Sequence, residues 1–244
     1  MELSSLEEVI SLQQHNCDEL MMRIETLKGK SIFENDDIKW FLLDNKIWIS
    51  KYENYAQIES KLGDFLGSFN WLYELNDTLL FDKENGRLQT AIIDLVRKVN
   101  IDYSQHYNEE ITIDEKVDMC LCDKKNQNFE FPSQVFYSEM HDILYSFGKE
   151  HHNQKISRAF IVDDFGFYLV DDLLNGWILK NASKHIFIED AAIEIDKAVL
   201  AKFIQAMNLL DTGDYTGIKS LLEFFKGQSD SLSLVLRKVL FELL

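Results

Sequence analysis

Residues 3–28, LSSLEEVISLQQHNCDELMMRIETLK, carry the most regular pattern in the chain and set the first expectation for its fold. Leu3, Leu6, Ile10, Gln13, Cys17, Leu20, Ile24 and Leu27 recur in steps of three and four, and seven of these eight are apolar. Such a seam is what a helix lying along another helix requires. Ser4 or Ser5 can cap its start, Glu7 and Glu8 suit the first-turn dipole, and Gly29 is a natural stop, so the pattern predicts a helix over about residues 5–28. From about residue 51 to 81 the same rhythm returns in Tyr55, Ile58, Leu62, Phe65, Phe69, Leu72, Asn76 and Leu79. The two helices are expected to pack together in one bundle. The alternative is a homodimer in which Leu3, Leu6, Ile10, Leu20, Ile24 and Leu27 form the self-association seam.

Composition agrees with helices. One proline, Pro132, and 10 glycines leave few positions where a helix is forbidden, and 46% hydrophobic residues is ample for a core in 244 residues. Residues 87–99 also show helical spacing in Leu88, Ile92, Leu95 and Val99, and a helix carrying Phe136, Met140, Ile143 and Phe147 is expected after Pro132-Ser133. Ile38–Leu43 and Lys46–Ile49 flank Asp44-Asn45, which fits a short hairpin or a broken helix. Strand signals concentrate in the middle. Val117, Met119 and Leu121 alternate with Asp118, Cys120 and Cys122, followed by a turn over residues 123–128 and a partner strand at Phe129–Phe131. Residues 156–163 and 166–170 read as a hairpin, and Ile186-Phe187-Ile188 as a further strand. From Asp190 the chain reads as helical again. The fold class expected is therefore α+β and predominantly helical: a bundle-like part over residues 1–100, a small antiparallel sheet with one helix over 101–189, and C-terminal helices over 190–244. No Gly/Ser/Pro-rich linker separates them, which favours one continuous body.

Charge is the strongest functional signal. The chain holds 42 acidic against 25 basic residues, a net charge of −17, which repels the phosphates of nucleic acid and suits a basic protein partner. No apolar run exceeds four residues and the N-terminus lacks a signal-peptide pattern, so no membrane association and a cytoplasmic location are expected. Three cysteines, an odd number, fit a reducing compartment, and Cys120-x-Cys122 is not followed by a second Cys or His pair at zinc-finger spacing.

The stretch 159–172, AFIVDDFGFYLVDD, sets two Asp pairs behind two apolar runs. An apolar strand ending in Asp163-Asp164 is similar to the magnesium-binding first strand of response-regulator receiver domains, but the later phosphoacceptor strand and its lysine are not recognisable. Asp164-Phe165-Gly166 looks like the magnesium-binding tripeptide of protein kinases, with His141-Asp142 echoing their catalytic loop, yet Phe147 stands where an Asn is needed and no glycine-rich loop precedes it. Asp163, Asp164, Asp171 and Asp172 would suit a magnesium or manganese site of a hydrolase or phosphotransferase only if they converged. A hairpin would hold the pairs about 15–20 Å apart. His151-His152 and His141 lack the helical spacing of a zinc site, and there is no nucleophile elbow, phosphate loop or dinucleotide turn. No catalytic residue, metal ligand or cofactor is assigned. The four tryptophans, Trp40, Trp48, Trp71 and Trp177, are expected as packing anchors, though one on an acidic rim would suit a protein interface. The sequence thus points to a non-enzymatic acidic interaction protein, an inhibitor or immunity-type antidote, with Asp163, Asp164, Asp171, Asp172, Glu189 and Asp190 as its partner-binding residues. An Asp-cluster hydrolase or phosphotransferase and a dimeric adaptor are the alternatives.

Overall fold

The computed structural model describes residues 22–28, 31–67, 77–95, 99–101, 114–122, 131, 134–148, 156–188, 191–193, 195–211 and 214–226, together with residues 237 and 241. Its architecture is dominated by strands, which overturns the helical expectation. Ile24–Lys28 (β1), the described end of the seam, is a strand paired antiparallel with Val117–Leu121 of the strand Asp114–Leu121 (β8). Leu3, Leu6, Ile10, Cys17 and Leu20 lie outside the described residues.

Fifteen described strands form two sheets. The first has eight strands, in the order β1, β8, Ile156–Phe160 (β11), Phe165–Val170 (β12), Leu173–Lys180 (β13), Ile143–Phe147 (β10), Val135–Ser138 (β9) and Val99–Ile101 (β7). The second has seven, in the order Ala191–Ile193 (β15), Ile186–Ile188 (β14), Ile38–Phe41 (β2), Lys46–Ser50 (β3), Leu88–Asp94 (β6), Thr78–Asp82 (β5) and Phe65–Gly67 (β4). Pairing is antiparallel except where β8 meets β11, β2 meets β14 and β7 meets β9. The hairpin alternative for residues 38–49 is the one realised, and Ile186–Ile188 is a strand as expected.

Alternate residues of both sheets meet in one core. Trp40, Ile47, Ile49, Phe81 and Ile93 of the second sheet share a cluster with Tyr137, Leu144, Phe165, Phe167 and Trp177 of the first. The outward faces are apolar as well. Trp48, Ile58, Phe65, Leu80 and Ile92 form a second cluster, and Ile143, Tyr145, Phe160, Tyr168 and Ile178 a third. Strands buried on both faces lose the alternation that announces a strand and read as continuous apolar runs, which explains why the spacing of residues 87–99 suggests a helix.

Two of the expected helical stripes are real faces on the wrong element. Phe136, Ile143 and Phe147 do lie together in the third cluster, but on the β9–β10 hairpin, whose turn holds Met140 and is completed by Asp142 at φ 53°. Tyr55, Ile58, Leu62 and Phe65 do share the second cluster, but only Tyr55–Glu59 (α1) is α-helical. Gly67 ends that segment at φ 133°, where a Cβ would come within 1.9 Å of the Leu79 carbonyl oxygen.

The C-terminal stretch expected to be helical from about Asp190 begins instead with strand β15, Ala191–Ile193, and its helices follow at Lys197–Asp211 (α2) and Tyr215–Lys226 (α3). Leu200, Phe203, Ile204 and Phe225 from these helices enter the shared core. Asn208 Nδ2 donates to the Val99 carbonyl at 2.7 Å, fixing α2 beside β7.

Candidate functional site

The β2–β3 turn builds one wall of a cleft at the end of the second sheet. Asn45 takes the left-handed backbone conformation that asparagine tolerates, φ 51°, and its carbonyl accepts from the Leu95 amide at 2.6 Å, so the end of β6 is held against the turn. On the outer side, Asn54 caps α1 by accepting from the Gln57 amide at 3.0 Å, while the Trp48 indole donates to the Tyr52 carbonyl at 3.0 Å. These bonds set Glu53, Asn54 and Tyr55 beside Trp48, whose ring meets Tyr55 edge-on at 4.9 Å. On the inner side, α2 contributes Phe203, Ile204, Met207 and Asn208.

The cleft is open to solvent and has a volume of about 500 Å³, within the range of small-ligand pockets. Its chemistry is divided. Leu42, Leu95, Val99, Phe203, Ile204 and Met207 give an apolar side, whereas Asp44, Lys46, Glu53, Asn54, Tyr55 and Asp94 give a polar, aromatic side. Asp44 and Glu53 are exposed and Asp94 is buried. Lys46 is the single basic residue that the described residues place on the wall, and its ammonium lies 3.3 Å from the Tyr55 hydroxyl and over the Tyr55 ring. Trp40, almost fully buried, also lines the cleft, and its indole N–H finds no acceptor among the described residues.

The acids singled out in the sequence are distributed differently. Asp163 is exposed, whereas Asp164 is bonded into the fold. Its carboxylate takes hydrogen bonds from Asn181 Nδ2 at 2.9 Å and Asn35 Nδ2 at 3.3 Å and lies 3.0 Å from His185 Nε2. Burial alone would raise this carboxyl, but the bonds from His185 and Asn181, with the charges of His185 and Lys184, hold it below the ordinary carboxylate value. Asp171 and Asp172, at φ 50° and 66°, are the two central residues of the β12–β13 turn, both exposed, in the backbone conformation of a type I′ hairpin. The six residues of β12 therefore separate the Asp pairs by about 20 Å. Glu189 and Asp190, with His151, His152 and Trp71, fall outside the described residues.

Asp142, the kinase-like residue, is likewise structural. It accepts from the Tyr137 hydroxyl at 3.0 Å and from the Ser183 hydroxyl at 2.6 Å. Among the described residues no three His, Cys, Asp or Glu side chains gather to hold an ion. Cys120 is buried and Cys122 exposed, both as free thiols. Trp40, Trp48 and Trp177 are buried packing residues, as expected. Ile24 is a core residue of β1, and Leu27 pairs with Asp118 across β8. No described helix is long and apolar enough to cross a membrane.

No protein-family model matches the chain, and no curated protein matches it in sequence. The cleft was missed by sequence reading because its wall comes from residues within 40–55, from Asp94, Leu95 and Val99, and from residues within 203–208, whose closeness depends on topology. The local signal was Asp44-Asn45 between two tryptophan-bearing apolar runs.

Proposed function

We propose that this protein is a non-enzymatic binding protein that captures a basic partner protein through its acidic surface, as an inhibitor or immunity-type antidote, in the cytoplasm. The net charge of −17 is the observation that carries this reading. A field of that sign accelerates encounter with cationic proteins and disfavours nucleic acid. The disposition of the carboxylates supports it. Glu25 within β1 and Asp163, Asp171 and Asp172 at turns are exposed, while Asp77, Asp142 and Asp164 are engaged in hydrogen bonds within the fold. The alternative, a hydrolase or phosphotransferase using Asp163, Asp164 and neighbouring carboxylates, would have to do without Asp171 and Asp172, which lie at the other end of β12.

The test is retrieval of the tagged protein from its native cells at low and high salt, followed by association kinetics with whatever co-elutes in stoichiometric amount. A basic partner whose association rate falls steeply with ionic strength, and falls further with D163N/D171N/D172N, is the expected result. A partner that is neutral or acidic, or binding indifferent to salt, would overturn the reading.

A further inference from the structure

We propose that the cleft between the β2–β3 turn, α1 and α2 receives a segment of the partner that presents an apolar or aromatic side chain next to a lysine or arginine. This rests on the reading of the protein as a binder of a basic partner, and it names the part of that partner which is gripped.

Three observations converge on this occupant. The cleft is of ligand size, about 500 Å³, and its inner side is apolar: half-buried Val99 and Met207 present surface to it, backed by the buried Leu42, Leu95, Phe203 and Ile204. Among the described residues, two exposed acids, Asp44 and Glu53, stand at the cleft with one base, Lys46, whose ammonium lies 3.3 Å from the Tyr55 hydroxyl on the α1 side. A cation entering beside the exposed Asp44 and Glu53 meets complementary charge. Lastly, Leu43, next to Asp44 on the same turn, is one of the few large apolar side chains that the described residues leave exposed. An apolar recess flanked by charged rim groups, with an exposed apolar side chain on the adjoining turn, is the arrangement of a protein-binding hot spot, where an anchor is buried and charges orient it. A purely apolar ligand would leave Asp44 and Glu53 unused, and an anion would be repelled by them.

The test uses the full chain carrying ¹³C-methyl methionine, which places a reporter on the cleft wall at Met207. Three blocked dipeptides are the probes: N-acetyl-Trp-Arg-amide, N-acetyl-Trp-Glu-amide and N-acetyl-Ala-Arg-amide. The first should move the Met207 methyl signal, with an affinity about fivefold or more above each of the others, because only it offers both features. D44N/E53Q, isosteric changes at two exposed positions, should weaken Trp-Arg by about three- to tenfold and leave Trp-Glu unchanged or improved. Equal binding of all three, an unmoved Met207 signal, or binding of Ala-Arg as tight as Trp-Arg would overturn the proposal; the last would mark a site for a small free cation.

The two readings fail separately. A salt-sensitive basic partner held equally well by D44N/E53Q, with no selective dipeptide binding, removes the cleft and leaves the acidic surface. Selective dipeptide binding with a salt-indifferent partner removes electrostatic capture and leaves the cleft.

Discussion

His185 Nε2 lies 3.0 Å from Asp164 Oδ2, and through this contact the β11–β12 turn of the first sheet is tied to the strand entering β14 of the second. Asn35 and Asn181 bond the same carboxylate, so the β11–β12 turn, the segment at Asn35 and the β13–β14 connection meet on one side chain. Asp164→Ala leaves these donors without their acceptor and should cost about 1–3 kcal/mol of stability near neutral pH. Because the folded carboxyl titrates below its unfolded value, its contribution is present above the ordinary carboxylate value of about 3.9 and fades as pH falls through the folded one. Urea unfolding of both proteins from pH 7 to pH 3 should show the gap closing only at the acid end; a gap independent of pH would show that the charge is irrelevant.

Asp118 behaves oppositely. It is buried on β8 with Arg87 Nη1 3.2 Å from Oδ2, out of hydrogen-bond alignment, and Arg87 is itself exposed. Burial raises the carboxyl, outweighing Arg87 and the Met119 amide. A raised folded value means that stability declines as pH rises above the ordinary carboxylate range. Asp118→Asn should lack that decline, so its urea midpoint should gain on the wild type between pH 4 and pH 7. A loss over this interval would show that the Arg87 pair outweighs burial.

Tyr137 is fully buried with its hydroxyl donated to Asp142, which also accepts from Ser183. Tyr137→Phe should cost about 1–2 kcal/mol in chemical denaturation. Burial, then the charge of Asp142, push the phenol far above its ordinary range. The wild type should therefore lose stability above about pH 10, where the unfolded phenol ionises, and the variant should lose less.

Gly67 pairs with Leu80 where β4 meets β5. Its φ of 133° and the 1.9 Å that would separate an alanine Cβ from the Leu79 oxygen leave no room for a side chain. Gly67→Ala should cost about 2–4 kcal/mol, seen as a lower thermal midpoint and faster amide exchange in β5.

How much of this could be read in advance depended on how many faces of each strand are buried. The alternation of Val117, Met119 and Leu121 marked β8, and Ile186–Ile188 stood out between polar neighbours. Thr90-Ala91-Ile92-Ile93 did not, because the core takes Ala91 and Ile93 while the second cluster takes Ile92. What distinguished it was β-branching, a weaker signal than period. Asp171-Asp172 was noticed as chemistry and proves to meet a backbone demand: a two-residue turn with both φ positive. Of the candidate site, the acidic character was evident from composition, but the meeting of Asp44, Tyr55, Asp94 and Met207 is a product of strand order.

The parallel pairing of β14 with β2 also has a consequence in time. Trp40 is matched to Ile186, about 146 residues later in the chain, so during synthesis the flank of β2 waits on the order of ten to thirty seconds for its neighbour at ordinary elongation rates. An open strand edge invites the wrong partner. Lys39, whose ammonium finally lies over the Phe187 ring, puts a charge on that edge throughout the wait, and a chain so built must delay completing its second sheet until most of it has left the ribosome.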